Sequence, residues 1–128
     1  MNGSNQNVDR GVPLSGSFRL DSSKYTSVFA EKRSFHGRSV VVWVRRASDA
    51  GRRAGVIVSK RTFRLAVDRN RAKRLMREAF RLSRKNLVPE VDLILIARAG
   101  LAGKKCQDVM RDFEAVCRRA KVWQPEEP

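Results

Sequence analysis

The residues of this sequence best suited to chemistry are cations repeated at helical spacing. Projected at about 100° per residue, Asn70, Lys73, Arg74, Arg77, Arg81 and Arg84 fall within an arc of roughly 100° along one face of a helix running from Ala66 to Lys85. Guanidinium forks bind phosphate oxygens bidentately, and a rigid helix fixes the spacing of several of them against a folded polyanion. From Lys60 to Lys85 there are 11 Lys or Arg against two acids, Asp68 and Glu78, so this window holds a net +9 of the chain's +15. Steps such as Lys73 to Arg77, Arg77 to Arg81 and Arg81 to Lys85 place like charges one turn apart, where opposite charges would stabilise the helix by about 0.2–0.5 kcal/mol per pair. A polyanionic partner relieves that repulsion, and a merely solvated face does not.

A second set offers stacking rather than charge. Tyr25 and Phe29 stand at i, i+4 on an earlier helix, and Trp43 lies on a strand beside Arg45. Exposed rings of this kind bind single-stranded nucleic acid, each stacked base contributing about 1–3 kcal/mol. Rings at helical spacing also suit a core, and the sequence leaves Phe29 open between the two roles.

Catalytic sets are not evident. His36 is the sole histidine, so no Ser/His/Asp or Cys/His arrangement forms. Asp92, Asp108, Asp112 and Glu114 lack the spacing of a two-metal site, and Gly51 and Gly55 stand apart rather than in a phosphate-binding loop. Cys106 and Cys117 share one stripe of a helix but lie about 16 Å apart along it, too far for a disulfide, and are expected as reduced core thiols.

The elements that must position these groups follow from periodicity. Asp21 or Ser22 caps a first helix that carries Tyr25, Val28 and Phe29 and ends near Arg33. Ser39 to Arg46 is a strand with Val40, Val42 and Val44 on one face and Val41, Trp43 and Arg45 on the other. Ala54 to Lys60 is expected to form a hairpin with it, and 61–67 to hold a short strand or the loop into the long helix. That helix, with Asp68 at its cap, buries Ala72, Leu75, Met76, Ala79 and Leu82, and the Leu87-Val88-Pro89 run ends it. Val91 to Ala97, apolar on both faces except for Asp92, suits a strand covered on both sides. A last helix, Cys106 to Ala120, carries Val109, Met110, Phe113 and Val116 on its buried stripe. Together these give an α/β protein, a two-layer α+β sandwich with roughly four strands in a mixed sheet and three helices. Residues 1–17 are expected to be a disordered tail, 18–120 one domain, and 121–128 a loose tail in which Trp123 could still pack.

A pI near 11.3 and a charge of +15 point to nucleic acid first and an anionic membrane surface second. No apolar run approaches the roughly 20 residues of a membrane span, and no signal-peptide segment is seen, so a soluble, cytoplasmic protein is expected.

The run Lys60-Arg61, followed by Ala66-Val67-Asp68-Arg69-Asn70-Arg71-Ala72-Lys73-Arg74-Leu75-Met76-Arg77-Glu78, resembles the RNR signature of the bacterial ribonuclease P protein subunit family. The similarity extends from about Phe18 to Arg119, through K-Y-T-S-V-F, V-I-V-S-K and V-D-L-I-L-I-A-R in the family's order. The resemblance implies a ribosomal protein S5 domain 2-like fold with a left-handed βαβ crossover, contrary to the usual hand. It implies two partners, the catalytic RNA of ribonuclease P and precursor tRNA, with no membrane and no small-molecule substrate. In that assembly the protein is the accessory subunit of an endoribonuclease that removes the 5′ leader of precursor tRNA, and Mg2+ is held mainly by the RNA. Carried over by position, Arg69, Asn70, Arg71, Lys73, Arg74 and Arg77 match the signature that faces the RNA subunit, and Lys60, Arg61 and Arg64 lie on the approach to it. Tyr25, Phe29 and Trp43 match the positions that hold the leader; Arg81, on the same helix face as the signature, is expected to bind the RNA subunit with it. Trp43 stands where a tyrosine is often found, and Arg64 where some members have glycine, which leaves the local loop open. A ribosomal or general structured-RNA-binding protein with no part in cleavage is the alternative, and a stand-alone nuclease the third class.

Overall fold

The computed structural model describes residues 18–125; the expected N-terminal tail, 1–17, and the last residues, 126–128, lie outside them. Three helices, α1 (Tyr25–Ala30), α2 (Ala66–Ser83) and α3 (Cys106–Arg119), surround a sheet of β1 (Ser34–His36), β2 (Val40–Arg46), β3 (Arg53–Ile57) and β4 (Val91–Ala97). The strand order is β1-β2-β4-β3, with β1 and β2 antiparallel, β2 and β4 antiparallel, and β3 and β4 parallel.

This order corrects the expected hairpin. The strand beginning at Ala54 does not pair with β2, because β4 inserts between them. β2 instead pairs with β1, in register Phe35 to Val42, through a turn at Gly37 and Arg38. The β2 to β3 connection is therefore a crossing over the sheet end, and α2 is the crossover joining parallel neighbours. Residues 61–65 form a loop with no strand.

Alternation in β2 fixes the two faces. Val40, Val42 and Val44 are fully buried and join Ala54, Val91, Leu93 and Leu95 beneath α2 and α3. From α2 come Ala72, Met76, Ala79 and Phe80, and from α3 come Val109, Phe113, Val116 and Cys117. Phe80 and Phe113 meet edge to face at 6.4 Å. The stripe on α2 thus lies slightly rotated from expectation: Phe80 and Ser83 are inside, and Leu82 is 41% exposed. On the other face Leu20, Val28 and Ile94 form a small second core under α1. β4 is accordingly covered on both sides, which is why six of its seven residues are buried.

Two acids pin the layers. Asp92, 1% exposed on β4, accepts from the backbone N–H of Gly51 and from Nε and Nη2 of Arg53 at 3.1, 3.2 and 3.0 Å. Asp112 on α3 accepts from the N–H groups of Arg38 and Ser39 and from the Ser39 hydroxyl, at 3.1, 2.7 and 2.7 Å, and so ties α3 to the β1–β2 turn. Gly37 in that turn has no room for a side chain, since a Cβ would stand 2.7 Å from Asp112 Oδ2 and from Val116 Cγ2.

Element ends differ in instructive ways. Asp21 caps as expected, accepting from the Ser23 N–H at 3.0 Å, but one 3-10 turn precedes α1 and the helix stops at Ala30, before a left-handed Lys32 (φ 55°) leads into β1. Asp68 is not the cap of α2. The helix begins one turn earlier, with extended Leu65 at the cap position, and Asp68 contributes only its charge to the first turn. The segment after α3 is partly fixed: Val122 is fully buried, its N–H bonds the Cys117 carbonyl, and its own carbonyl accepts from Val88 N–H. Cys117 is buried and its thiol is pushed up to about 12 by burial, whereas Cys106 is only half-buried.

Candidate RNA interface

The basic face is built on α2 and the loop before it. Phe63, 8% exposed, anchors that loop in the core, and Ser59 closes it by donating to Thr62 Oγ1 at 2.9 Å while accepting from Thr62 N–H at 3.1 Å. Lys60, Arg61 and Arg64 are thereby held out in solvent beside the helix start, and Asn70 and Arg74 are exposed on α2 with Lys73 half-buried next to them.

The remaining cations of the signature do double duty. Arg69 turns back and donates from one guanidinium nitrogen to the Phe63 and Arg64 carbonyls at 3.0 and 2.8 Å. Arg71 donates to the Lys104 carbonyl at 2.6 Å and links α2 to the loop before α3. Arg81 pairs in a fork with Glu78, one turn back, at 3.0 and 2.6 Å, so part of its charge is neutralised within the helix. Arg84 donates to the Arg52 and Gly51 carbonyls. Arg77 is half-buried, and its pKa is lowered by that burial and by the neighbouring Arg19 guanidinium. The face presented outward is therefore centred on Lys60, Arg61, Arg64, Asn70, Lys73 and Arg74.

The three rings come together on the opposite face of the sheet. Phe29 of α1 meets Trp43 of β2 edge to face, with centroids 5.0 Å apart and planes at 81°. Tyr25, one turn earlier, lies over β3 at Gly55. All three are half-buried around Leu20, Val28 and Ile94, with Ile57 and Ile96 alongside. Phe29 is thus both support and lining: one edge packs on the second core while the ring keeps a solvent side.

Residues the sequence did not single out join the two surfaces. Phe18–Leu20 lies along the outer edge of β3, with Ala54 N–H bonding the Phe18 carbonyl and Leu20 N–H the Ala54 carbonyl, both at 3.0 Å. This pairing puts exposed Arg19 at the outer edge of β3, where it shares a hollow with Tyr25 and its charge helps to lower the pKa of Arg77 on α2. No local signal marks Arg19, because its place depends on a bridge to a strand 35 positions later.

Among the described residues no group of three or more His, Cys, Asp or Glu could hold a metal ion, and no helix is long and apolar enough to cross a membrane. A cationic helix on one side of a sheet and a cluster of half-buried rings on the other define the class, an RNA-binding protein with two surfaces of different chemistry. Residues 17–121 match the family described as Ribonuclease P. The chain is 40% identical over 108 residues to the ribonuclease P protein component of an Exiguobacterium species, covering 84% of this chain and 93% of that one. It is 38% identical over 112 residues to that of Chromohalobacter salexigens, covering 87% and 86%. The Staphylococcus aureus RNase P protein structure superposes with a TM-score of 0.70 at 27% identity, over 84% of this chain and 98% of that one. The Thermotoga maritima RNase P protein shares the fold, with a TM-score of 0.69 at 24% identity over 79% and 96%. This chain belongs to the bacterial ribonuclease P protein family.

Proposed function

We propose that the protein docks the outer face of α2 on the RNA subunit of ribonuclease P and holds the 5′ leader of precursor tRNA in the cleft between α1 and the sheet. The observation that carries this reading is the separation of the two surfaces. Lys60, Arg61, Arg64, Lys73 and Arg74 stand on one side of the sheet, Tyr25, Phe29 and Trp43 on the other, and Arg19 and Arg77 join them around β3. A folded RNA meets a rigid row of charges, and a single strand meets rings wide enough for its bases. The protein lowers repulsion between two polyanions and favours leader-bearing over mature tRNA. As the protein component it is part of an endoribonuclease, and bond cleavage is the work of the RNA.

Magnesium belongs to the RNA in this scheme. The described residues offer no carboxylate cluster that fits the ion: Asp92 and Asp112 spend their oxygens on protein donors, and Asp108 bonds the Lys105 N–H at 3.0 Å. The protein raises apparent magnesium affinity indirectly, by stabilising the assembled complex.

Reconstitution tests the whole reading. Purified, nuclease-treated protein added to a bacterial ribonuclease P RNA is expected to stimulate 5′ cleavage of a leader-bearing substrate at low magnesium, and to cleave nothing alone. RNA binding without stimulation would return the protein to the general RNA-binding class, and cleavage by protein alone would make it a nuclease.

A further inference from the structure

Three positions lie side by side across the middle of the sheet on its α1 face. The registers place Trp43 of β2 opposite Ile94 of β4, and Ile94 opposite Gly55 of β3. The row thus runs from a large ring through a buried aliphatic to no side chain at all. α1 spans it lengthwise: Phe29 packs against Trp43 at one end, and Tyr25 fills the gap over Gly55 at the other. A Cβ on Gly55 would overlap the Tyr25 hydroxyl and Cζ and stand 2.5 Å from Cε1.

The conflict has few ways out. Tyr25 is rooted on a helix whose Val28 is locked against Leu20 and Ile94, all at most 1% exposed, so α1 does not slide to make room. An aromatic side chain has two torsions, and the phenol would swing off β3 toward Phe29, one turn along α1, or into the hollow lined by Arg19, Asp21 and Ser22. Either movement changes the spacing of the Tyr25 ring from Phe29 and Trp43, and with it the surface the three rings present.

We propose that Gly55 is a positioning residue for leader recognition: its bare backbone is the seat that fixes the Tyr25 ring and with it the opening of the aromatic cleft. The role is steric, and Gly55 acts through Tyr25 rather than by touching RNA. The inference rests on the cleft being the leader's site.

A double-mutant cycle in the reconstituted holoenzyme tests it, read as affinity for precursor tRNA divided by affinity for mature tRNA. Gly55→Ala is expected to lower this ratio about ten-fold, the equivalent of one stacked base, with RNA-subunit affinity unchanged. Tyr25→Ala is expected to lower it similarly, and Gly55→Ala added to Tyr25→Ala is expected to cost nothing more. Should Gly55→Ala reduce the yield of folded protein, the same comparison is made with Tyr25→Leu, whose shorter side chain clears the added methyl. Equality of Tyr25→Leu with and without Gly55→Ala supports the proposal, and a further loss overturns it. Additive losses, or a ratio unaltered by Gly55→Ala while Tyr25→Ala lowers it, would overturn the positioning role alone. A ratio unaltered by Tyr25→Ala would overturn the leader-cleft reading beneath it.

Discussion

The Arg84 guanidinium lies 3.7 Å from the centre of the Phe18 ring, and from there its Nε donates to the Arg52 carbonyl at 2.9 Å. One cation of the basic helix face is thereby turned inward. It fastens the Phe18–Leu20 segment and the loop before β3 to the end of α2, the same framework that holds Arg19 and Gly55 in place.

Arg84→Ala is accordingly expected to behave as a stability variant. Losing the ring contact and leaving the Gly51 and Arg52 carbonyls short of a donor costs about 2 kcal/mol. Urea unfolding would show a lower midpoint with an unchanged slope, and the salt dependence of RNA-subunit binding would stay at the wild-type value. A clear fall in salt dependence would return Arg84 to the phosphate-binding face.

For the cleft, Tyr25→Ala and Trp43→Ala are each expected to weaken binding of leader-bearing precursor about ten-fold while leaving mature tRNA nearly unaffected. Trp43→Phe, which keeps a ring against Phe29, would retain most of the selectivity. Equal losses for both ligands would make these rings core and nothing more.

Asp112 sets an acid limit on stability. Burial alone would raise its pKa, but the donors from Ser39 and Arg38 outweigh burial and hold it below the usual carboxylate value. A carboxylate depressed in the folded state stabilises fully above its unfolded pKa of about 3.9, and that contribution is lost as pH falls through the folded value. The melting temperature of the wild type is therefore expected to drop more steeply below about pH 4 than that of Asp112→Asn, which starts lower at neutral pH. Parallel curves for the two proteins would remove Asp112 from this role.

These residues also show what a sequence discloses and what it hides. α2 and β4 were legible because their patterns are long and local: the basic and apolar arcs repeat over 18 residues, and Val91–Ala97 is apolar on both faces apart from Asp92. β1 has three residues and no periodicity to detect. The expected hairpin failed because adjacency in sequence says nothing of a strand that arrives later and inserts, as β4 does between β2 and β3. The rings were found by type and spacing, while Gly55 and Arg19 acquire meaning only from the pairings of β3 with β4 and Phe18–Leu20. Charge was the least divisible signal. Arg69 and Arg74 look alike in the signature, yet the first braces the Phe63 and Arg64 carbonyls and the second stands exposed.

That difference selects the most direct test of the docking face, the salt dependence of RNA-subunit affinity for Lys73→Ala combined with Arg74→Ala. Neither side chain braces a described carbonyl as Arg69 does, so the fold is expected to survive, checked by an unchanged melting temperature. If both contact phosphates, affinity falls and the slope of log affinity against log salt becomes shallower by about 1.5 to 2. A double variant that binds the RNA subunit with the wild-type slope would contradict the account.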